Sequence, residues 1–153
     1  MLVEAPEKRI CTILVADDDP DDRLLIEDAL TETNLAKSLY FVENGEELMD
    51  YLLVQNKYNE LSTCPRPDLI LLDLNMPRKD GREALKEIKA NLQLRSIPIV
   101  VLTTSKAEED IFRTYELGVN SFISKPVSYE ELVELVRKLG IYWFETVRLP
   151  PSQ

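Results

Sequence analysis

Residues 71–81 read LLDLNMPRKDG. Leu71 and Leu72 close an apolar run that begins at Leu69, and the run stops at a carboxylate, Asp73. Asp, Asn, Pro and Gly are turn formers, so a strand leading into a loop accounts for the composition that follows. It does not account for an acid standing where a buried strand ends. In open α/β sheets, ligands bind beyond the carboxyl ends of the strands, at a topological switch point. The stretch therefore asks whether other strand ends carry matching chemistry.

Outward from Asp73, short apolar runs recur at 11–16 (CTILVA), 38–42 (SLYFV), 97–102 (IPIVVL) and 121–124 (SFIS). Segments with helical spacing separate them. The first spans about Asp21 to Glu32, with Leu25, Ala29 and Leu30 inward. The second spans Glu46 to Val54, with Leu48, Tyr51 and Leu52 inward. The third spans Arg82 to Leu92, with Leu85 and Ile88 inward, and the fourth Ala107 to Leu117, with Ile111 and Tyr115 inward. The fifth starts at Ser128, with Glu131 completing a capping box. Leu132, Leu135, Val136 and Leu139 form its stripe. Strands alternating with helices predict an α/β domain with a parallel sheet covered on both faces.

The other strand ends then become informative. Strand one runs into ADDDPDD. An acidic helix start beside Pro20 accounts for Asp19, Asp21 and Asp22. It accounts poorly for Asp17 and Asp18, since like charges at a buried strand end repel unless neutralised. Ala16 reads as the last strand residue, which selects Asp17 and Asp18; a shift by one would select Asp18 and Asp19. Strand four ends at Thr103. Strand five ends at Lys125, which Pro126 pushes into extended conformation; that X-Pro bond is also open to the cis form. Carboxylates at neighbouring strand ends suit a hard cation such as Mg2+, with the Asn75 carbonyl as a further ligand. A carboxylate can also be a nucleophile that takes a phosphoryl group. A metal, Lys125 and the Thr103 hydroxyl would then neutralise its oxygens. Asn75 and Ser105 are expected to border the path of a hydrolysing water.

The chain has 153 residues, enough for one domain with a real core. Its net charge of −10 disfavours non-specific nucleic-acid binding. With no His, a Ser-His-Asp triad, a His base and a His-based zinc site are excluded. Cys11 and Cys64 form no CxxC motif; Cys11 reads as a small core residue and Cys64 as a loop residue, with no disulfide expected and a cytoplasmic location as the default. The N-terminus does not read as a signal peptide. The apolar runs fall short of the ~20 residues of a membrane span.

Taken in order, the acidic pair, DLNMPRKDG, Thr103 and the Lys-Pro pair with Phe122 ahead of it resemble the receiver domain of two-component response regulators. The resemblance covers about Ile10 to Leu139 and leaves 140–153 as a C-terminal extension. It implies a flavodoxin-like (βα)5 doubly wound sheet with strand order 2-1-3-4-5. It implies Asp73 as phosphoacceptor, Asp17, Asp18, Asp73 and Asn75 around Mg2+, Lys125 on the phosphoryl group, and Thr103 and Phe122 as coupled switch residues. The long 56–67 segment, read as an exposed insertion, and the tail YWFETVRLP resemble single-domain regulators that work with cyanobacterial phytochromes. That implies a sensor histidine kinase partner, since no His of this chain can supply the phosphoryl group.

The residues after Leu139 are too few for an output module, so a phosphorylation-sensitive surface is the expected output. The tail is unusually apolar. A homodimer through the fourth helix, fifth strand, fifth helix and tail is expected, using Ile111, Tyr115, Leu139, Tyr142, Trp143 and Phe144. The competing view is that the tail extends the helix and packs on its own core, with Gly140 either ending the helix or interrupting it. Two other functions share parts of the pattern. A haloacid-dehalogenase-type phosphatase needs an acid two residues after its nucleophile, where Asn75 stands. A flavodoxin needs a phosphate-cradling loop after strand one, where the Asp run would repel phosphate.

Overall fold

The computed structural model describes residues 11–32, 37–60 and 64–151. The expectations for the N-terminal segment before Cys11, for the Cys11 side chain and for residues 61–63 lie outside these. The strands are β1 (Cys11–Ala16), β2 (Lys37–Val42), β3 (Leu69–Leu72), β4 (Ile99–Thr103) and β5 (Ser121–Ser124). The helices are α1 (Pro20–Thr31), α2 (Gly45–Leu53), α3 (Gly81–Ala90), α4 (Glu108–Leu117) and α5 (Tyr129–Ile141). A 3-10 turn covers Asn56–Tyr58 and a π-helical turn covers Tyr142–Thr146.

The strands form one parallel sheet in the order β2-β1-β3-β4-β5. Alternation along each strand divides the core in two. Leu14, Ala16, Ile70, Leu72, Ile99 and Val101 face α2 and α3. Ile13, Val15, Leu69, Leu71, Val100 and Leu102 face α1 and α5. Burying each such side chain contributes about 1.5–3 kcal/mol, which is why short strands suffice. β1 and β3 are neighbours from which the chain winds in opposite directions, so the switch point lies between their carboxyl ends.

Helix starts follow from local chemistry. Asp19, Asn44, Asp80 and Ser128 cap α1, α2, α3 and α5 with side-chain oxygens. Ser128 accepts the Glu131 N–H at 3.3 Å, while its hydroxyl is shared with the neighbouring Glu130 carboxylate at 3.1 Å. β4 begins later than the apolar run suggests, because Pro98 has no N–H for the ladder. It also extends to Thr103, since the ladder carries a polar residue as readily as an apolar one.

α4 departs most from its expected role. It buries Thr114 rather than Tyr115, which is 48% exposed. The Tyr115 hydroxyl instead accepts the Phe122 N–H of β5 at 3.1 Å. Gly140 does not stop α5; the helix runs through it into the π-helical turn. Trp143 is buried, and Leu139, Phe144, Val147 and Leu149 pack against the α1/α5 core. The tail therefore extends the helix onto its own domain. Of the residues expected at an interface, Trp143 is thus covered by its own domain, and Leu139 and Phe144 are partly covered. Ile141 and Tyr142 remain exposed.

The 56–67 segment is not wholly an exposed insertion. Cys64 is buried with its thiol on the Tyr58 carbonyl at 3.4 Å, and the Tyr51 hydroxyl donates to the Pro65 carbonyl at 2.9 Å. A tilted ring contact between Tyr40 and Tyr51 and an edge contact between Tyr51 and Tyr58 complete this anchor.

Candidate functional site

The carboxyl ends of β1, β3, β4 and β5 bring polar side chains together in an otherwise apolar surround. Asp17, Asp73, Thr103 and Lys125 are exposed by only 2%, 6%, 0% and 8%. The backbone holds them there. The Asp17 N–H donates to the Val42 carbonyl at 3.0 Å, and the Asp73 N–H to the Ala16 carbonyl at 2.9 Å. Both strands thus stay registered one residue past their ends. Arg23 of α1 donates to the Asp17 carbonyl at 2.7 Å and reaches Glu43.

The loop between β3 and α3 wraps tightly behind Asp73. The Gly81 N–H donates to the Leu74 carbonyl at 2.9 Å. A Cβ on Gly81 would overlap the Asp73 carbonyl oxygen, so only Gly fits. Arg78 takes a left-handed φ of 62°, uncommon for a non-glycine residue, to close the turn. Leu74 and Met76 are buried, which leaves Asn75 exposed between them.

The three consecutive Asp residues have different jobs. The Asp19 side chain accepts the N–H groups of Asp21 and Asp22 and is occupied by the helix start. Asp17, Asp18 and Asp73 each bring a carboxylate oxygen to within 4.8 Å of the others. Asp18 is exposed and the other two are buried, so the cluster opens to solvent on one side. Hard oxygen donors with room for waters fit a divalent cation of the Mg2+ type.

Lys125 supplies the fixed positive charge. Its N–H donates to the Thr103 carbonyl at 2.7 Å, and the Lys125–Pro126 bond is trans, not the cis form left open above. Its Nζ donates to Asp17 Oδ2 at 2.7 Å, Asp22 Oδ2 at 2.8 Å and Asp73 Oδ2 at 3.1 Å. An ammonium has three donors, and each has a carboxylate. Burial works against the Lys125 charge, but the hydrogen bonds from Asp17 and Asp22 and the fields of Asp17 and Asp73 outweigh it, so its pKa is raised. Asp17 is pushed the other way: burial raises its carboxyl despite the Lys125 contact.

The remaining Asp73 oxygen, Oδ1, accepts the Thr103 hydroxyl at 2.8 Å and the Asn75 N–H at 3.1 Å. Phe122 is half-buried against the α2/α3 core, one strand over from Thr103. Asp22 is the site residue that sequence reasoning missed, because the helix dipole already explained it. A signal existed: Asp22 lies one helical turn before the buried Leu25 and Ile26, on the face that points inward. Arg82 and Asp110 at the rim were also missed.

The response regulator receiver domain family matches residues 13–137. The chain belongs to that family. The receiver is 42% identical over 140 residues to response regulator Rcp1 of Synechocystis sp., covering 92% of this chain and 93% of that protein. A crystal structure of the Mn2+-bound form of Rcp1 superposes with a TM-score of 0.87 at 41% identity, over 92% of this chain and 99% of that one. The phosphorylated cyanobacterial phytochrome response regulator RcpA superposes at 0.88 with 40% identity, over 94% and 100%. Receiver membership sets aside the phosphatase and flavodoxin readings. Among the described residues, no helix is long and apolar enough to cross a membrane.

Proposed function

We propose that this receiver accepts a phosphoryl group on Asp73 from a sensor histidine kinase, in a Mg2+-dependent reaction. The observation that carries the proposal is the asymmetric environment of the Asp73 carboxylate. One oxygen faces Lys125 and the other faces Thr103 and the Asn75 N–H. Such a site offers donors on both sides of a phosphoryl group built on either oxygen.

An Asp73 carboxylate oxygen would attack the phosphorus of a phosphohistidine. The phosphorus–nitrogen bond breaks, and its electron pair stays with the imidazole of the kinase. Asp17, Asp18, Asp73 and the Asn75 carbonyl would hold Mg2+. A cation held there would supply positive charge against the oxygens of the transferred group. Lys125, anchored on Asp17 and Asp22, would pass the donor it now gives Asp73 to a phosphoryl oxygen, and the Thr103 hydroxyl would turn from Asp73 Oδ1 to a further one. The protein assists its own phosphorylation and dephosphorylation and is not a multiple-turnover enzyme on other substrates.

The likeness to RcpA, a cyanobacterial phytochrome response regulator, supports a phytochrome-type kinase as the partner, and a cytoplasmic location belongs to the same reading. Thr103 and Phe122 are proposed as the switch, passing the change at Asp73 to the α4, β5 and α5 face. Homodimerisation through that face is part of the same reading, with Ile111, Tyr115 and Tyr142 as its accessible apolar contacts; sizing both phosphorylation states tests it.

The deciding experiment is intact mass after incubation with acetyl phosphate, with and without Mg2+, for wild type and Asp73→Asn. A single Mg2+-dependent phosphoryl adduct absent from the variant supports the reading. An adduct that persists in Asp73→Asn moves the acceptor elsewhere.

A further inference from the structure

Arg82 and Asp110 have no part in the phosphoryl transfer described above, yet they are held closely. Arg82 Nε and Nη2 donate to Asp110 Oδ1 and Oδ2, each at 2.6 Å. A two-point guanidinium–carboxylate contact fixes orientation as well as distance. Asp110 Oδ2 also accepts the Ser105 hydroxyl at 2.7 Å, and Arg82 Nη2 reaches Asn75 Oδ1 at 3.5 Å. The hydrogen bond from Arg82, aided by Ser105, overcomes partial burial and holds the Asp110 carboxyl down at about 2. The contact is therefore ionic across the neutral range.

Both ends of this contact lead back to Asp73. On one side, Asn75 donates its N–H to Asp73 Oδ1 at 3.1 Å. On the other, the Ser105 N–H points to Thr103 Oγ1 at 3.4 Å, and the Thr103 hydroxyl donates to the same Asp73 oxygen at 2.8 Å. Asp73, Asn75, Arg82, Asp110, Ser105 and Thr103 thus close a ring of hydrogen bonds. It joins the end of β3, the loop after it, α3, α4 and the loop between β4 and α4. Asp73 and Thr103 are its buried members, Asn75 is exposed, and Ser105, Arg82 and Asp110 are half-buried. Asp73 Oδ2 is turned to Lys125, which leaves Oδ1 on the side of Asn75, whose amide also donates to Thr104 Oγ1 at 3.4 Å, and of the β4–α4 loop that carries Ser105.

We propose that Arg82 and Asp110 are positioning residues that set the lifetime of the phosphoryl group on Asp73, by holding Asn75 and Ser105 as the two walls of the water approach. The inference rests on the phosphoacceptor reading. In hydrolysis, a water oxygen attacks phosphorus and the bond to the Asp73 oxygen breaks. Its electron pair returns to the carboxylate, and inorganic phosphate leaves with the water's proton released to it or to solvent. With the clamp closed, Ser105 has a fixed acceptor and Asn75 a fixed neighbour. With the clamp open, both side chains rotate and water reaches phosphorus more often. An ion pair serving stability alone would leave the lifetime untouched.

The test loads wild type, Asp110→Asn, Arg82→Gln, Arg82→Lys and the Asp110→Asn/Arg82→Gln double variant from acetyl phosphate in Mg2+. Donor is removed and adduct decay is followed by intact mass, with thermal midpoints measured alongside. Each single variant is expected to shorten the half-life about three- to tenfold. The double variant is expected to be no faster than the faster single one, since both break one contact. Arg82→Lys, which keeps the charge but loses the fork, should resemble Arg82→Gln. Unchanged half-lives overturn the proposal, as does multiplicative shortening in the double variant. If one single variant fails to fold, the other decides. No adduct on wild type overturns the phosphoacceptor reading itself, whereas an adduct with indifferent variants overturns only the role of the clamp.

Discussion

Replacing Lys125 with Met keeps the length of the side chain and removes the cation that, among the described residues, is bonded to the buried carboxylates. Asp17 Oδ2 and Asp73 Oδ2 lie 2.7 and 3.1 Å from Nζ, and the side chains of Lys125, Asp17 and Asp73 are only 5%, 3% and 7% exposed. Removing one partner of a buried pair costs about 3–5 kcal/mol, because the other charge stays behind unpaired. Asp22 adds little to this cost, since its side chain is 24% exposed and water screens it. The Asp17 carboxyl, already raised by burial, can also take up a proton and cap the loss. The expected cost is therefore near the lower end, about 3 kcal/mol at neutral pH. For a domain of this size that lowers the thermal midpoint by roughly 6–12 °C. The measurement is thermal and urea unfolding in EDTA, with and without added Mg2+. The urea midpoint should fall with an unchanged slope. Millimolar Mg2+ should recover part of the loss, since a cation bound only by the folded state stabilises it. A midpoint within about 2 °C of wild type in EDTA would show that Lys125 is not the counter-charge of the cluster.

Asp17→Asn is expected to stabilise the fold by about 1 kcal/mol in EDTA at neutral pH while removing the Mg2+-dependent adduct. The raised Asp17 pKa gives the sign: its contribution favours the fold below the ordinary value of 3.8 and is lost as pH rises through the folded value. The gain should therefore vanish in acid, and destabilisation at neutral pH would refute the argument. Asp110 runs the opposite way, held at about 2 against an ordinary 3.8; its contribution is present above 3.8 and is lost as pH falls through about 2. Acid titration of Asp110→Asn should accordingly show a shallower loss of stability in that window than wild type shows. Trp143→Ala should cost roughly 3–5 kcal/mol, because the ring is buried on the α1/α5 core. Unchanged monomer stability with a lost dimer would return the tail to the interface role. Phe122→Ala should still take the phosphoryl group, while any phosphorylation-dependent change in assembly disappears.

What the sequence made legible follows from how local each signal is. Strand ends are local: an apolar run stops, and the next residue stands at the carboxyl edge of the sheet. That places Asp17, Asp73, Thr103 and Lys125 from the sequence alone, and β3 and β5 carry the expected bounds. Helical faces are less local. α1, α2 and α3 bury the expected residues because each lies flat on the sheet. α4 sits beside the edge strand β5 and buries only Thr114, so spacing alone assigned Tyr115 to the wrong side. The tail is hard to read for a related reason. Its apolar residues report that something covers them, and only the direction of α5 decides whether the cover is the same domain or a second copy.

The residues hardest to read were those with a sufficient local explanation. Asp22 in a first helical turn and Arg82 near a helix start are ordinary surface residues by composition. Their contacts reach 103 and 28 residues along the chain, to Lys125 and Asp110. Such pairs exist only after the sheet has closed. The site thus has an inner part fixed by strand order and an outer part fixed by helix placement. Substitutions in the inner part should act on whether Asp73 reacts, and those in the outer part on how long the product lasts.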